Sequence, residues 1–490
     1  RIPLHAFHPT HGRGIMTTMD TVSTDTNPTT SPAYRAVNPA TGQTVSEHPV
    51  ATGEQVEQAI ATAHRAFEDW RARDIGERAG IVARIADLFE ERADELAETI
   101  TREMGKPIGE SRGEAEFSAE IFRYYADNGP QLAADQALDS TDGATNVIQR
   151  RPLGVLLGIM PWNYPYYQVA RFAAPNLVLG NTILLKHAEI VPESALAIER
   201  LLRDAGVPEG VYQNLFATHE QVGTIIADPR VLGVSLTGSE RAGAAVAEQA
   251  GRHLKKAVLE LGGSDPYVIL STDDPRQAAR DALAIRLENT GQACNSNKRL
   301  IVMDDVFEDF VDELVQQVSG LQPADPAQER EGTFGPLSSE SAARTLVDQI
   351  ERAVAAGGTL HVGGRRADRE GFFVEPAVIT DIPQDSDVYR EEFFGPVLAV
   401  YRVSSDEEAL AVANNTPYGL GSTVYATEPE RAERFAEQLD AGMVGANQSP
   451  PEAANMPFGG VKRSGFGREL GPLGMDEFVN KRLMSVARPR

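Results

Sequence analysis

Apolar side chains recur at helical spacing along residues 54–136. Val56, Ile60 and Ala63 fall three or four positions apart, and a second stripe of the same kind begins at Ile81. This pattern predicts several amphipathic helices before the first long apolar run of the chain.

From residue 155 onwards, short apolar runs alternate with amphipathic stretches. The first series has predicted strands at 155–159, 182–186, 211–216, 231–236 and 257–260, and predicted helices at 167–180, 192–205, 221–228 and 241–250. The second has predicted strands at 267–270, 299–303, 397–401, 422–425 and around Val378, and predicted helices at 276–290 and 306–319. Strands separated by helices indicate βαβ units. The predicted fold is therefore α/β with parallel sheets, and a turn at 141–143 predicts a hairpin over 138–151.

The composition is acidic and poor in lysine. Asp and Glu number 71 against 46 Lys and Arg, which gives a net charge of −25, and only 7 of the basic residues are lysine. This excess argues against nucleic acid and anionic membranes as partners, because both need a basic face. It favours a halophilic protein, since charges are screened within ~3 Å at about 1 M salt. An ordinary acidic cytoplasmic protein is the alternative.

The chain has a single cysteine, Cys294, so an intrachain disulfide and a cysteine-based zinc site are excluded. A lone thiol suits a reducing cytoplasm, which is the expected location. The histidines lack the spacing of a metal-binding motif, so no metal is predicted. No apolar run reaches the ~20 residues of a membrane helix. Residues 1–34 are predicted to be a disordered tail, and residues read from upstream of the natural start are the alternative.

Cys294 closes the segment Asn-Thr-Gly-Gln-Ala-Cys, residues 289–294. A lone cysteine is most often a small buried apolar residue. Here Gly291 and Ala293 allow backbone amides to approach a ligand, which favours a functional thiol. A reactive thiolate needs a neighbour that lowers its pKa or a base that takes its proton.

Two further residues are candidate partners of such a thiol. Glu260 ends an apolar strand, at the edge of a parallel sheet where ligands bind, and is either a turn cap or a base. Asn163 stands between Pro161 and Pro165, and its amide either forms a turn or donates to an oxyanion.

A dinucleotide site would follow a strand, yet no Gly-x-Gly-x-x-Gly motif does so. The nearest pattern is the glycine turn at 237–243, which lacks the lysine of a P-loop. Its amides either receive a phosphate at the start of the next helix or only begin that helix.

Seven short motifs occur in one order along the chain. They are Pro-Trp-Asn-Tyr-Pro (161–165), Lys-His-Ala-Glu (186–189), Thr-Gly-Ser (237–239), Leu-Glu-Leu-Gly-Gly (259–263), Asn-Thr-Gly-Gln-Ala-Cys (289–294), Glu-Glu-Phe-Phe-Gly-Pro (391–396) and the run at 457–469. Over residues 35–488 the chain resembles the NAD(P)-dependent aldehyde dehydrogenase superfamily, and it is most similar to the succinate-semialdehyde dehydrogenase branch. The resemblance implies a Rossmann-type cofactor domain, an α/β catalytic domain and a β-hairpin oligomerisation flap.

The resemblance also implies a role for each candidate residue. Cys294 would add to an aldehyde as a thiohemiacetal, hydride loss to the nicotinamide would leave a thioester, and Glu260 would be the base. Asn163 and the Cys294 N–H would form the oxyanion hole. The residues implied to contact the cofactor are Ile159, Trp162, Lys186, Glu189, Gly223, Thr237, Gly238, Ser239, Leu261, Glu392 and Phe394.

Glu189 bears on the choice of cofactor. Beside the adenosine ribose, a carboxylate would bond the ribose hydroxyls and repel a 2′-phosphate. The sequence therefore predicts NAD as the preferred cofactor, with NADP as the alternative.

The resemblance places Arg171 where semialdehyde-using relatives bind the substrate carboxylate, which a guanidinium holds bidentately. An ion pair between Arg171 and an acidic residue of another element is the alternative. Some relatives have an arginine six residues before the nucleophile, where this chain has Glu288. Tyr164, Tyr167 and Phe458 are expected to line the entry tunnel.

The predicted reaction is the oxidation of an aldehyde to a carboxylic acid, with succinate semialdehyde as the substrate. A broad-range enzyme for neutral short aldehydes and a cofactor-independent Cys/Glu thiol hydrolase are the alternatives. The resemblance implies a cofactor domain at 35–137 and 156–265, a catalytic domain at 266–445, and a flap with the C-terminal segment at 138–155 and 446–490. An exposed strand edge in the flap predicts a homodimer or a homotetramer.

Overall fold

The computed structural model describes residues 33–140, 144–328 and 330–487. The predicted tail and the predicted turn at 141–143 lie outside these residues, except that residues 33 and 34 belong to the first strand. Within the described ranges, no helix is long and apolar enough to cross a membrane.

Four helices confirm the helical pattern predicted over 54–136. The helices, numbered along the chain, are α1 (Gly53–Ala72), α2 (Ile75–Glu91), α3 (Ala93–Met104), α4 (Ile108–Leu132), α5 (Tyr167–Leu179), α6 (Pro192–Asp204), α7 (His219–Ala227), α8 (Glu240–Arg252), α9 (Pro275–Leu287), α10 (Asp304–Gly320), α11 (Glu340–Ala355), α12 (Asp406–Asn414), α13 (Pro429–Ala436) and α14 (Gly471–Met475). Helix α1 begins behind Thr52, whose hydroxyl accepts from the Gln55 N–H while the Gln55 side chain accepts from the Thr52 N–H. This reciprocal capping box explains where the first helix starts.

The strands of both predicted series are present. In chain order they are β1 (Ala33–Val37), β2 (Thr44–Pro49), β3 (Gln136–Leu138), β4 (Thr145–Pro152), β5 (Val155–Met160), β6 (Thr182–His187), β7 (Tyr212–Asn214), β8 (Val231–Thr237), β9 (Lys256–Glu260), β10 (Pro266–Ile269), β11 (Arg299–Met303), β12 (Gln322–Pro323), β13 (Thr333–Phe334), β14 (Thr359–Val362), β15 (Ala377–Thr380), β16 (Val397–Val403), β17 (Gly421–Tyr425), β18 (Met443–Ala446), β19 (Gly465–Phe466) and β20 (Val479–Val486).

Two sheets carry the α/β fold. One has the order β19-β9-β8-β5-β6-β7 and the other the order β14-β15-β16-β11-β10-β17-β18. Apart from β19 and β14, each of which pairs antiparallel with its neighbour, all strands of these sheets are parallel. The predicted α/β class is therefore confirmed.

A third, antiparallel sheet has the order β20-β4-β3. Strand β20 pairs with β4 from Val479 to Val486, and among the described residues its other edge is unpaired. The three sheets support the domain division implied by the resemblance, which remains a proposal. One difference is β19, which lies in the segment 446–490 but joins the first sheet by pairing with Leu259 and Glu260.

The carboxyl ends of three neighbouring strands position the site. Strand β5 ends at Met160, just before Asn163; β8 ends at Thr237; and β9 ends at Glu260. Because these strands are parallel and adjacent, their ends open onto one edge of the sheet, where α/β proteins bind ligands.

Candidate active site

A cavity of about 270 Å³ lies at this edge and reaches Cys294. Nine of the predicted site residues line it, namely Trp162, Asn163, Thr237, Gly238, Ser239, Leu261, Cys294, Glu392 and Phe394. Pro161, Gln168 and Gly262 complete the lining. The fold thus gathers the candidate nucleophile and most of the candidate cofactor residues from distant parts of the chain.

Left-handed backbone precedes the cysteine. Asn289, Thr290 and Gly291 have φ angles of 48°, 53° and 77°. Because an α-helix needs right-handed backbone, the predicted helix 276–290 is wrong at its end, and α9 stops at Leu287. Non-glycine residues keep such angles only where their surroundings hold them.

Contacts from several elements hold this segment. The Glu110 carboxylate accepts from the Asn289 N–H at 2.6 Å, and the Arg286 guanidinium donates to the Gly291 carbonyl at 3.0 Å. A Cβ on Gly291 would lie 2.4 Å from the Gly395 carbonyl oxygen, so this close approach requires glycine. The segment that leads to Cys294, the candidate nucleophile, is therefore held by contacts from several elements.

Asn163 is buried beside that segment. Its Nδ2 donates to the Gln292 carbonyl at 3.0 Å, and its own carbonyl accepts from Asn289 Nδ2 at 3.0 Å. An amide nitrogen carries two hydrogens, and the Gln292 bond uses one of them. The arrangement suits a donor to an oxyanion in the cavity.

Glu260 is only 2% exposed. Among the described residues, neither of its carboxylate oxygens has a hydrogen-bond partner. Burial, reinforced by the nearby Glu469, raises the pKa of Glu260 well above its usual range. Burial also raises the pKa of the Cys294 thiol to about 12, although Arg171 and Lys298 oppose this change. A proton must therefore leave the thiol before it can attack, which requires a base.

Arg171 is paired inside the protein. Its Nε lies 2.8 Å from Glu469 Oε2, and it donates to the Tyr167 hydroxyl at 3.3 Å and to the Gln168 amide oxygen. Its guanidinium carbon lies 4.6 Å and 4.3 Å from the ring centres of Tyr167 and Phe458. The structure thus contains the ion pair that was the alternative to carboxylate binding, in an aromatic setting close to the thiol.

Two acidic side chains lie near the cysteine on its other side. The Tyr164 hydroxyl donates to Glu288 at 3.0 Å, and Asn295 donates to Glu452. Glu288, Asn295 and Glu452 share a second cavity of about 230 Å³ with Ala293. An anionic substrate entering here would meet these two acidic groups, of which Glu452 has its pKa raised by burial and by the nearby Glu288.

Lys186 and Glu189 form an ion pair at the end of β6. Burial disfavours ionisation of Glu189, but the Lys186 ammonium outweighs it and lowers the pKa of Glu189. Glu189 is therefore a carboxylate near neutral pH.

Two of the other candidates lie apart from the cavity lining. Ile159 is half-buried near the end of β5. Gly223 lies within α7, where a Cβ would come 2.6 Å from the Gln249 side chain of α8. That contact makes Gly223 a helix-packing position in this structure.

The cavity lining has groups of the kind that bind a nicotinamide dinucleotide. The Thr237 hydroxyl is buried without a hydrogen-bond partner among the described residues. Ser239 caps the thirteen-residue helix α8 by accepting from the Ala242 N–H at 3.3 Å, so the first amides of α8 face the glycine turn. The rings of Trp162 and Phe394 lie 5.7 Å apart and nearly perpendicular. Phosphate donors and apolar ring surfaces are thus both present.

Sequence reasoning did not select Gln168 or Lys298. Gln168 follows Tyr167 on α5 and bonds Arg171. Lys298 stands four residues after Cys294 in a polar stretch that looks like surface. The sequence feature that could have drawn attention to Lys298 is its residue type, because the chain has only 7 lysines. In the described part of the chain, no group of three or more His, Cys, Asp or Glu residues could hold a metal ion.

Comparisons with known proteins show the family of the chain. The sequence matches the aldehyde dehydrogenase family over residues 26–484. It is 51% identical to the succinate-semialdehyde dehydrogenase (NADP(+)) of Deinococcus radiodurans, over 92% of this chain and 94% of that protein. It is 39% identical to the crystal structure of succinic semialdehyde dehydrogenase from Streptococcus pyogenes in complex with NADP+, with a TM-score of 0.90 over 93% of this chain and 100% of that chain. Betaine aldehyde dehydrogenase from Staphylococcus aureus in complex with NAD+ is 29% identical, with a TM-score of 0.89 over 93% and 91% of the two chains.

Proposed function

Since the chain belongs to the aldehyde dehydrogenase family, we propose that it oxidises succinate semialdehyde to succinate with a nicotinamide dinucleotide as hydride acceptor. The observation that carries the proposal is the single cavity in which Cys294 and Asn163 lie beside Glu392 and Phe394. A nucleophile, an oxyanion donor and cofactor contacts at one place are what aldehyde oxidation requires.

The first step is attack by the Cys294 sulfur on the aldehyde carbon. A carbon–sulfur bond forms and the carbonyl electrons move to oxygen. Asn163 Nδ2 and the Cys294 N–H donate to the resulting oxyanion, a kind of contact worth ~3–4 kcal/mol. Glu260, once ionised, takes the thiol proton directly or through water.

The second step turns the covalent adduct into a thioester. Glu392 and Phe394 would hold the cofactor, which when bound would supply a nicotinamide ring as the acceptor for the hydride on the aldehyde carbon. The oxyanion electrons restore the carbonyl as the hydride departs. After it has released the first proton to solvent, Glu260 takes a proton from water as the water oxygen adds to the thioester, and the Cys294 sulfur leaves as a thiolate. The carboxylic acid is released and the nucleophile is regenerated.

Arg171 supports a carboxylate-bearing substrate. Its guanidinium lies close enough to the thiol to oppose the rise in the Cys294 pKa. The relatives named for succinate semialdehyde support the same substrate. Because Arg171 is paired with Glu469, an incoming carboxylate must share or replace that partner.

Neutral short aldehydes are the second candidate substrate class. Glu288 and Glu452 favour it, because they place negative charge beside Asn295, next to the nucleophile. The comparison of succinate semialdehyde with a neutral aldehyde of the same chain length separates the two candidates.

Two observations bear on the choice between NAD and NADP, and they point in opposite directions. The two succinate-semialdehyde dehydrogenases reported above are named for NADP+ or for a complex with it, and we propose NADP as the cofactor on that ground. The ionised Glu189 favours NAD, as the sequence predicted, because it would repel a 2′-phosphate. We expect Glu189→Ser to raise the ratio of kcat/KM for NADP to that for NAD. An unchanged ratio would remove Glu189 from the discrimination.

Three further properties stay proposals. The unpaired edge of β20, with Leu483, Met484 and Val486 exposed, supports assembly into a homodimer or a homotetramer. A cytoplasmic location and adaptation to salt are supported by the lone thiol and the net charge of −25.

The experiment is a steady-state assay of purified protein with succinate semialdehyde, butanal, NAD and NADP. Reduced cofactor and succinate should form in equal amounts, with the highest kcat/KM for succinate semialdehyde. Equal or better use of butanal would favour the neutral-aldehyde enzyme. Succinyl thioester hydrolysis without any activity toward aldehydes would favour the thiol hydrolase instead.

A further inference from the structure

Lys298 is an ammonium group enclosed in the protein next to the active-site cavity. Its side chain is fully buried. Its Nζ donates to the carbonyl oxygens of Ala293 at 2.7 Å and Cys294 at 2.6 Å, and it lies 3.1 Å from Glu392 Oε1. The ammonium thus donates two of its three hydrogens to these carbonyl oxygens and forms an ion pair with the Glu392 carboxylate.

Glu392, the third partner of Lys298, also contacts the glycine pair Gly262 and Gly263. Its carboxylate accepts from the Gly263 N–H at 3.1 Å. A Cβ on Gly262 would lie 2.3 Å from Glu392 Oε2, so the carboxylate packs directly on this glycine pair. Glu392 therefore lies between the Lys298 ammonium and the turn that follows Glu260.

We propose that Lys298 is a positioning residue that fixes the Cys294 loop and the Glu392 carboxylate relative to each other across the active-site cavity. The inference deepens the proposed function, on which it rests for the meaning of Glu392 as a cofactor contact. The claim that Lys298 positions the Cys294 loop does not depend on the proposed function, because it follows from the contacts of Lys298 in this chain.

Lys298 can position these groups because it neutralises the oxygen atoms that surround it. Two carbonyl oxygens and a carboxylate converge on one buried point, and without a cation they would repel one another and lack donors. The loop and the carboxylate would then move apart. The positive charge also lowers the pKa of the neighbouring Cys294 thiol, against the larger effect of burial.

The test uses Lys298→Met and Lys298→Arg in the full chain, with Lys256→Met as the matched control. Lys256 lies at the start of β9, and its exposed side chain pairs with Glu477. Two readouts need no aldehyde: the pH profile of Cys294 alkylation by iodoacetamide, and the Kd for NAD or NADP from the quenching of tryptophan fluorescence. Circular dichroism and the Tm of each variant report folding.

In Lys298→Met we expect the alkylation profile to move to higher pH and the cofactor Kd to rise by about tenfold or more, the scale for truncating a buried charge pair. Lys298→Arg should give intermediate values, because it restores the charge without the three-way geometry, and Lys256→Met should match the wild type. If Lys298→Met does not fold, the alkylation profile and the cofactor Kd of Lys298→Arg test the inference instead.

A folded Lys298 variant with the wild-type alkylation profile and the wild-type cofactor Kd would overturn the inference. A shifted profile together with a wild-type enzyme that does not oxidise aldehydes would refute the proposed function and leave the positioning role intact.

Discussion

Arg171 Nε lies 2.8 Å from Glu469 Oε2 inside the protein, and Glu469 in turn raises the pKa of Glu260. One ion pair therefore connects the proposed substrate-binding cation with the proposed base. A substrate carboxylate that draws Arg171 away from Glu469 changes the charge next to Glu260. If Arg171 and Glu260 have the proposed roles, substrate recognition and base strength are coupled through Arg171 and Glu469.

Replacing Arg171 should separate substrates by charge. In Arg171→Gln, kcat/KM for succinate semialdehyde should fall by about tenfold or more, because a guanidinium–carboxylate contact contributes roughly 1.5–3 kcal/mol. The value for butanal should change much less. Arg171→Lys is the control that keeps the charge, and Tm must be followed because breaking a buried ion pair costs about 3–5 kcal/mol. Equal losses for both aldehydes in a folded variant would show that Arg171 does not bind the carboxylate.

The acidic pair near the nucleophile should weaken binding of an anionic aldehyde. In Glu288→Gln combined with Glu452→Gln, KM for succinate semialdehyde at low salt should fall by about twofold to fivefold, in line with exposed charge interactions. Glu98→Gln, an exposed carboxylate on α3, is the control. In the wild type the same KM should fall as salt rises, because screening removes the repulsion. A flat salt dependence of the wild-type KM would count against both this effect and the halophilic interpretation.

Removing the oxyanion donor should slow the chemistry without changing the thiol. In Asn163→Ala, kcat should fall by about 10²–10³-fold, the scale for one lost donor. The rate of Cys294 alkylation should stay close to the wild type, because iodoacetamide forms no tetrahedral oxyanion. A parallel loss in both readouts would mean that the Asn163 side chain only supports the segment before Cys294, through its hydrogen bond to the Gln292 carbonyl.

Local patterns predicted much of this site. Asn163 and Glu260 lie at or just after the end of a strand, close to proline or glycine, and Cys294 lies three residues after Gly291. These neighbours mark the three residues in the sequence. The position of Glu469 could not be predicted, because it depends on Gly465 and Phe466 pairing with a strand some two hundred residues earlier in the chain.

Other features were hidden for different reasons. The end of α9 escaped prediction because the left-handed angles at Asn289 and Thr290 are imposed by tertiary contacts such as that from Glu110. Lys298 has polar neighbours in sequence, yet the backbone carbonyls and the carboxylate that surround it come from the folded structure. A residue whose partners are brought together only by the fold cannot be identified from the sequence pattern around it.

Glu103 should make stability depend on pH. It is buried and caps α6 by accepting from the N–H groups of Glu193 and Ser194, and burial raises its pKa to about 7 against these contacts. An acid whose folded pKa is raised holds its proton longer in the folded state, so stability falls as pH rises from about 4.5 to about 7. Between pH 4.5 and 8, the Tm of Glu103→Gln should therefore fall less than the Tm of the wild type.

The exposed Glu95 on the same helix offers a control, since Glu95→Gln should follow the wild-type pH dependence. If Glu103→Gln and the wild type lose the same Tm over this range, Glu103 does not titrate as its burial implies.

The most direct measurement is mass spectrometry of the Cys294 peptide after acid quenching of a single turnover with cofactor and succinate semialdehyde. In Glu260→Gln, hydrolysis of the thioester should be the slower step, so the peptide should carry one succinyl group. In Cys294→Ala, no acyl group and no reduced cofactor should form. Formation of reduced cofactor by Cys294→Ala at the wild-type rate would contradict the account at its centre.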